Sequence, residues 1–267
     1  MSAAPTQFIW LYFQDEARGD ELRYSMRSVC QHFTGTPHLI LVGDRPDWYC
    51  GQHIHIPRIA EPHLERFHAV LDSSYKLQQV LRHPDIADSF VIMMDDHYFL
   101  RDFSLSDIQV PRYSPGWIPK KRYWWDESTT LTMQTLERRG LSTYLYETHL
   151  MHFFEKTKLQ QIFDTFNPTT VPVLRNTLYG NVFRARPKDC RPFVASPQTP
   201  QTVKQLNDIA KRSTVLNHAS GAWDATLEEW LQNRLQSAAP VEDSAQILPT
   251  AQVSAKVVTA VSLLQPT

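Results

Sequence analysis

Residues Phe90 to Met94 form a short, unbroken apolar run that ends abruptly in Asp95, Asp96 and His97. A run of that length between polar residues reads as a strand buried on both faces, as in a parallel sheet with helices on either side. Ligands of such sheets bind outside the carboxyl ends of the strands. The run therefore sets the expected class, α/β, and marks where chemistry would sit. Hard oxygen donors such as Asp95 and Asp96 suit Mg²⁺ or Mn²⁺, which can in turn hold a diphosphate. An acidic strand end followed by a turn is the plainer reading, and an Asp-Asp pair alone does not separate the two.

The rest of the chain supplies a matching alternation of strands and helices. Gln7 to Phe13 reads as a strand, followed by a polar loop with Gly19 and a helix from Glu21 to Phe33. Leu22, Met26, Val29 and Phe33 recur at helical spacing, and Asp20 is its expected N-cap. His38 to Val42 reads as the second strand, closed by Gly43-Asp44. His53-Ile54-His55-Ile56 alternates as a third would, placing both imidazoles on one face; a metal pair there lacks a nearby third ligand. Asp72 to Leu81 is expected as a helix capped by Asp72 or Ser73. Ser128 to Arg139 is expected as another, capped by Ser128 and stopped by Gly140. Tyr144 to Leu150 reads as a strand, and Phe154 to Phe166 as a helix. Residues 203–212 and 224–235 read as amphipathic helices around a short strand, Thr214 to Leu216. From Gln236 the chain turns rich in Ala, Ser, Val, Pro and Thr, so residues 1–236 are expected as one domain and 237–267 as a poorly ordered tail.

Composition narrows the partners. The 267 residues carry 27 basic and 28 acidic side chains, a net charge of −1, with no clustered basic excess for nucleic acid. The short Lys120-Lys121-Arg122 patch beside Tyr123, Trp124 and Trp125 reads as a loop or a substrate rim. With Trp117, those tryptophans suit the apolar face of a sugar ring as well as ordinary packing. Cys30, Cys50 and Cys190 form no C-x-x-C pair, so neither a zinc site nor a disulfide framework is indicated. No signal peptide or transmembrane segment is visible, and a cytoplasmic protein is expected.

Several further residues are candidates for a site. Arg23 and Arg27 are four apart on one helical face, for solvent or for a phosphate-bearing ligand. Asp44 stands just past an early strand, where a carboxylate can reach a ribose hydroxyl, or simply makes a turn. Lys76 lies in an expected first turn, where a cation works against the helix dipole. His149 precedes a helix and suits general acid or base work near neutral pH. Arg175 suits a bidentate grip on phosphate.

Glu21-Leu22-Arg23-Tyr24-Ser25-Met26-Arg27-Ser28-Val29, followed by a strand and Val42-Gly43-Asp44-Arg45-Pro46-Asp47-Trp48, resembles the second conserved region of the Stealth proteins. Asp95-Asp96-His97-Tyr98-Phe99-Leu100 is similar to that family's Asp-Asp-x-Phe-Leu. His149 matches its third-region histidine, with Leu150-Met151 in place of a small residue and proline. The segment around Arg175 resembles the arginine-containing block of shorter bacterial and phage relatives. The family's first region is absent, and Phe8 to Phe13 stands in its place. Stealth proteins transfer a hexose-1-phosphate from a nucleotide-sugar to an acceptor hydroxyl, on a core similar to the GT-A glycosyltransferase fold.

The resemblance and the residues converge on an expectation. It is a GT-A-like (Rossmann-like) α/β domain with a mostly parallel sheet flanked by helices, acting as a nucleotide-sugar-dependent transferase. Asp95 and Asp96 would hold Mg²⁺ or Mn²⁺ on the donor diphosphate, with Asp96 also in the catalytic centre. Asp44 would contact the nucleoside, Arg23, Arg27, Lys76 and Arg175 the donor, and His149 the hydroxyl of a glycan or other acceptor. Transfer of the sugar alone or of the sugar phosphate stays open. So do a binding module without turnover and a metal-dependent phosphohydrolase.

Overall fold

The computed structural model describes residues 4–59, 66–116, 124–184 and 186–243. Its first half runs β1 (Thr6–Tyr12), α1 (Glu21–His32), β2 (Pro37–Gly43), β3 (Gln52–Ile54), α2 (His68–Arg82), β4 (Ser89–Met93), β5 (Tyr98–Phe99), α3 (Leu105–Gln109) and β6 (Arg112–Tyr113). The second half runs α4 (Trp124–Glu137), β7 (His152–Glu155), α5 (Lys156–Phe166), α6 (Arg175–Phe183), β8 (Lys188–Asp189), β9 (Val194–Ala195), α7 (Val203–Arg212), β10 (Val215–Leu216) and α8 (Ala225–Arg234).

The main sheet has the order β3-β2-β1-β4-β7. Its first four strands are parallel, and β7 runs antiparallel to β4. Alternation along each strand divides the core into two layers. Phe8, Trp10, Leu39, Leu41, Val91 and Met93 face Leu22, Met26 and Val29 of α1 and Phe33 just after it. Ile9, Ile40, Val42, Phe90 and Ile92 face Leu77, Val80 and Leu81 of α2 and Leu159, Ile162 and Phe163 of α5. Both faces of β1 and β4 are therefore covered, which is why their sequences read as continuous apolar runs. A smaller sheet, β5-β10-β9, packs with α7 and α8 through Tyr98, Leu206, Leu216, Leu227 and Leu231, and Tyr24 of α1 joins that cluster. Among the described residues no helix is long and apolar enough to cross a membrane.

The order of the sheet matters for function. From β1 the chain proceeds outward to β2 and β3, then returns to the other side of β1 to form β4. The crossover helices α1 and α2 lie on opposite faces. The carboxyl ends of β1 and β4 thus form a topological switch point, where an open α/β sheet leaves a crevice.

Several expectations need correcting. Asp20 stands at the N-cap of α1 but makes no capping hydrogen bond; its carboxylate accepts from Arg23 instead. Helix α2 begins four residues before Asp72 and α4 four before Ser128, so both are interior residues rather than caps. Tyr144 to Leu150 forms no strand; the edge strand is β7, which takes Phe154 from the expected helix and pairs it with Phe90. His53 and His55 do share a side, but both imidazoles reach the carbonyl oxygen of Gly43, at 2.8 and 3.3 Å. That glycine has φ +108°, and a Cβ there would lie 2.3 Å from the Tyr12 carbonyl oxygen. Trp124 and Trp125 open α4 and pack on Val70, Leu71, Leu145 and Leu174. Trp117 and the basic patch 120–122 lie outside the described residues.

The boundary expected at residue 236 also moves. Cys50 donates its backbone N–H to Val241 (2.8 Å), and Glu242 is buried. Its carboxylate receives Nε and Nη2 of Arg27, both at 2.7 Å, and the Ala239 backbone N–H at 2.8 Å. Residues 244–267 lie outside the described residues.

A buried, bidentate pair is costly to break from one side only, because the remaining charge stays buried. Glu242→Ala is therefore expected to lower unfolding free energy by about 3 to 5 kcal/mol in urea titrations. A chain ending at 236 should lose a similar amount relative to one ending at 243. Equal stability of the two truncations would contradict this anchoring.

Candidate active site at the sheet switch point

A cleft of about 390 Å³ opens outside the ends of β1 and β4. Its residues come from five places in the sequence. Tyr12 and Phe13 end β1, Glu16, Arg18 and Glu21 lead into α1, and Arg58 follows β3. Asp72, Ser73 and Lys76 come from α2, Met94, Asp95 and Asp96 follow β4, and His218 and Ser220 follow β10. The turn carrying Asp95 and Asp96 is held from α1. Ser25 Oγ donates to the Met94 carbonyl at 3.0 Å and accepts from Trp10 Nε1 at 2.9 Å. Ser28 Oγ accepts the Phe99 N–H at 3.0 Å. Small hydroxyl residues at these two helical positions thus fix the turn to the helix.

Charge is unevenly shared in the cleft. Five carboxylates face three cationic side chains. Two of the carboxylates have a cation each: Asp72 pairs with buried Lys76 at 2.8 Å, and Glu16 with Arg58 at 2.8 Å. Glu21, Asp95 and Asp96 have no lysine or arginine partner among the described residues. Glu21 accepts the Arg18 backbone N–H at 2.9 Å and lies 3.4 Å from His218 Nε2. Asp96 Oδ1 is buried without a hydrogen-bond partner among the described residues.

The acidities follow from this crowding. Burial, then the charge of Asp95 and then that of Glu21, pushes Asp96 up to about 8. Burial and then Asp95 push Glu21 up to about 7. Asp95 is raised, chiefly by burial. The Tyr12 phenol is pushed up to about 12 by burial and then by Asp95. Carboxylates buried and crowded in this way, one with an idle oxygen, have the character of a cation site. Among the described residues no three His, Cys, Asp or Glu side chains converge as a complete metal cage. Mg²⁺ commonly takes one or two carboxylates and completes its shell with substrate phosphate and water. The donor set fits such a shared site.

The expected site residues separate into three groups. Asp95, Asp96 and Lys76 line the cleft. Asp44 and Arg175 stand behind its walls: Asp44 Oδ2 accepts the Gln14 N–H at 3.0 Å, and Arg175 Nη1 donates to cleft-lining Ser73 at 2.9 Å. Burial lowers the Arg175 pKa against the opposing charge of Glu147. Arg23 and Arg27 are brought together, but on Glu242 rather than at the cleft. Arg27 is held bidentately there, while Arg23 stacks 4.8 Å over Trp48 and bonds Asp20 at 3.2 Å. In this structure both guanidinium groups hold Glu242 of the 237–243 segment. His149 does not line the cleft. It has φ +45°, keeps solvent exposure, and has an imidazole pKa lowered by the protein around it. Its carbonyl accepts from the amide of Asn217, the residue before cleft-lining His218.

Sequence reasoning missed Glu21, Arg18, Arg58 and His218 as site residues. Arg18 and Arg58 follow strands of the parallel sheet, so the strand-end rule applied at every strand would have found them. Glu21 reads only as the start of a helix, and His218 reaches the cleft through the second, smaller sheet.

No family model and no curated protein matches the sequence. Among solved structures, the chain is similar to that described as a glycosyltransferase involved in the glycosylation of the major capsid of PBCV-1. The TM-score is 0.42 at 13% identity, covering 88% of this chain and 100% of that one. It is also similar to the apo-form glycosyltransferase GlyE in Streptococcus pneumoniae TIGR4. There the TM-score is 0.40 at 9% identity, covering 88% of this chain and 61% of that one.

The raised carboxyls predict a pH dependence. In the pH interval between the ordinary values of 3.8 and 4.5 and the folded values near 8 and 7, the folded chain holds protons that the unfolded chain has released. Their contribution to stability is therefore full at low pH and falls as pH rises through the folded values. With a chelator present, urea unfolding should show stability declining from about pH 5 to about pH 8. Asp96→Asn should flatten that decline and stabilise the protein at the upper end by about 1 kcal/mol. Added Mg²⁺ should do the same for the unaltered chain. A pH-independent midpoint would contradict the crowding.

Proposed function

We propose that the chain is a nucleotide-sugar-dependent transferase working at the β1–β4 cleft. The observation that carries this reading is the arrangement of charge. Asp95 and Asp96, short of a counterion, end β4, while Arg18, Arg58 and Lys76 stand in the walls of the same cleft. A cation would satisfy the carboxylates, and a diphosphate bound to it would lie within the same cleft as Arg18, Arg58 and Lys76, which keep their present partners at Ser220, Glu16 and Asp72 until it binds. Asp95 and Asp96 would hold Mg²⁺ or Mn²⁺. When bound, it supplies charge neutralisation at the departing phosphate.

The chain's own residues would do the rest. Arg18, Arg58 and Lys76 would orient the donor phosphates, and Asp44 and Arg175 would support the walls from behind. Glu21, with its carboxyl near 7, is within the cleft and suited to take the acceptor proton; His149 is the second candidate for that step. The GT-A-like assignment of the α/β fold and the Stealth resemblance belong to the same proposal. They differ in which bond breaks: the sugar–oxygen bond, leaving a nucleoside diphosphate, or the phosphoanhydride bond, leaving a nucleoside monophosphate. A phosphohydrolase would share the carboxylates, but among the described residues no second cluster of ligands stands ready for another cation.

The test is release of nucleotide from a panel of UDP- and GDP-sugars with Mn²⁺ or Mg²⁺ and an acceptor glycan mixture. Release is expected and should fall at least about 100-fold in Asp95→Asn and Asp96→Asn. Glu21→Gln should lose turnover by a similar factor while retaining donor affinity. The nucleotide recovered, diphosphate or monophosphate, assigns the bond. Undiminished release in both aspartate variants would sink the reading.

A further inference from the structure

His97 takes no part in the chemistry described so far, and its surroundings are unusual. It follows Asp96 in the turn after β4, and its side chain is wholly buried. Neither ring nitrogen has a hydrogen-bond partner among the described residues. A neutral imidazole carries one N–H and one lone pair, and buried groups of this kind are nearly always satisfied. The nearby polar group with the complementary need is Asp96 Oδ1, itself buried and without a partner. It stands 3.8 Å from His97 Nε2, too far for a hydrogen bond but within a small side-chain adjustment of one. Two orphaned atoms, one able to donate and the other, once the carboxyl is ionised, able to accept, therefore face each other at the back of the cleft.

We propose that His97 is a positioning residue for the cation site, donating Nε2–H to Asp96 Oδ1 when a divalent cation occupies the Asp95–Asp96 pair. This rests on the reading of those aspartates as cation ligands. The donation fixes the orientation of the Asp96 carboxylate and leaves its second oxygen free for the cleft. It also satisfies both buried atoms at once. Outer partners of this kind commonly change metal affinity by about 10- to 100-fold when removed. Before the cation arrives, Asp96 faces the like charges of Asp95 and Glu21.

The test is calorimetric titration of the full chain with Mn²⁺, without nucleotide, for the unaltered protein, His97→Leu and His97→Gln. His97→Leu should weaken Mn²⁺ binding about 10- to 100-fold. His97→Gln, which keeps an N–H near the Nε2 position, should recover part of the loss. Unchanged affinity in a folded His97→Leu overturns the inference and leaves the cation reading intact. No Mn²⁺ binding by the unaltered protein overturns both. Should the leucine variant not fold, ¹⁵N-histidine NMR of the unaltered chain decides. The Nε2–H tautomer, with its proton moving downfield on addition of Mg²⁺, is expected. The Nδ1–H tautomer in the Mg²⁺-loaded protein overturns the inference.

Discussion

Everything in this molecule depends on β1 and β4 lying side by side and parallel, with their crossover helices on opposite faces. Parallel strands buried on both sides carry few polar side chains along their length, and the one buried near the start of β1, Gln7, is hydrogen-bonded to Asp85 and Ala87. Polar chemistry is thereby pushed to the strand ends. Because the chain leaves β1 in one direction and comes back to form β4 in the other, neither crossover covers the carboxyl ends of that pair. The crevice is a consequence of winding, and Asp95 and Asp96, the first polar residues after β4, open into it.

What fills it is electrostatically unfinished. Lys76 and Arg58 are each matched to a carboxylate, whereas Asp95 raises the pKa of both Asp96 and Glu21, and Glu21 that of Asp96, in a partly desolvated space. A structure serving only stability would gain by replacing one of them. Their retention in a single cleft is the kind of local conflict that folds keep at working sites. The hydroxyls of Ser25 and Ser28 hold the aspartate turn rigidly to α1, so the conflict is not relieved by the turn moving away. By contrast, the Arg27–Glu242 pair is complete, with every carboxylate oxygen engaged, and reads as structural anchoring.

The strands were legible because burial on both faces writes itself as apolar runs: Phe8 to Leu11, Leu39 to Val42 and Phe90 to Met93 need no tertiary information. Asp95 and Asp96 were legible for the same reason, as the residues that end such a run. The helix starts at Asp72 and Ser128 were misread because a short polar residue before an apolar repeat looks like a cap, while in the fold one carboxylate pairs with Lys76 and the other side chain lies inside α4. Arg27 was misassigned because its partner lies 215 residues away, in a stretch whose composition suggests a tail. No local pattern carries that contact. The basic wall was overlooked since Arg18 and Arg58 become neighbours of the aspartates only through the strand order.

The central claim is that the carboxylates after β4 and the cations on the cleft walls hold one ligand between them, a divalent cation with a nucleotide diphosphate. The most direct measurement is a crystal structure of the protein with Mn²⁺ and a nucleoside diphosphate, using anomalous scattering to locate the metal. The account predicts a metal peak bonded to Asp95 or Asp96, at about 2.2 Å, with the phosphates turned towards Arg18, Arg58 and Lys76. Nucleotide bound elsewhere on the molecule, or bound in the cleft with no metal at the aspartates, would contradict it.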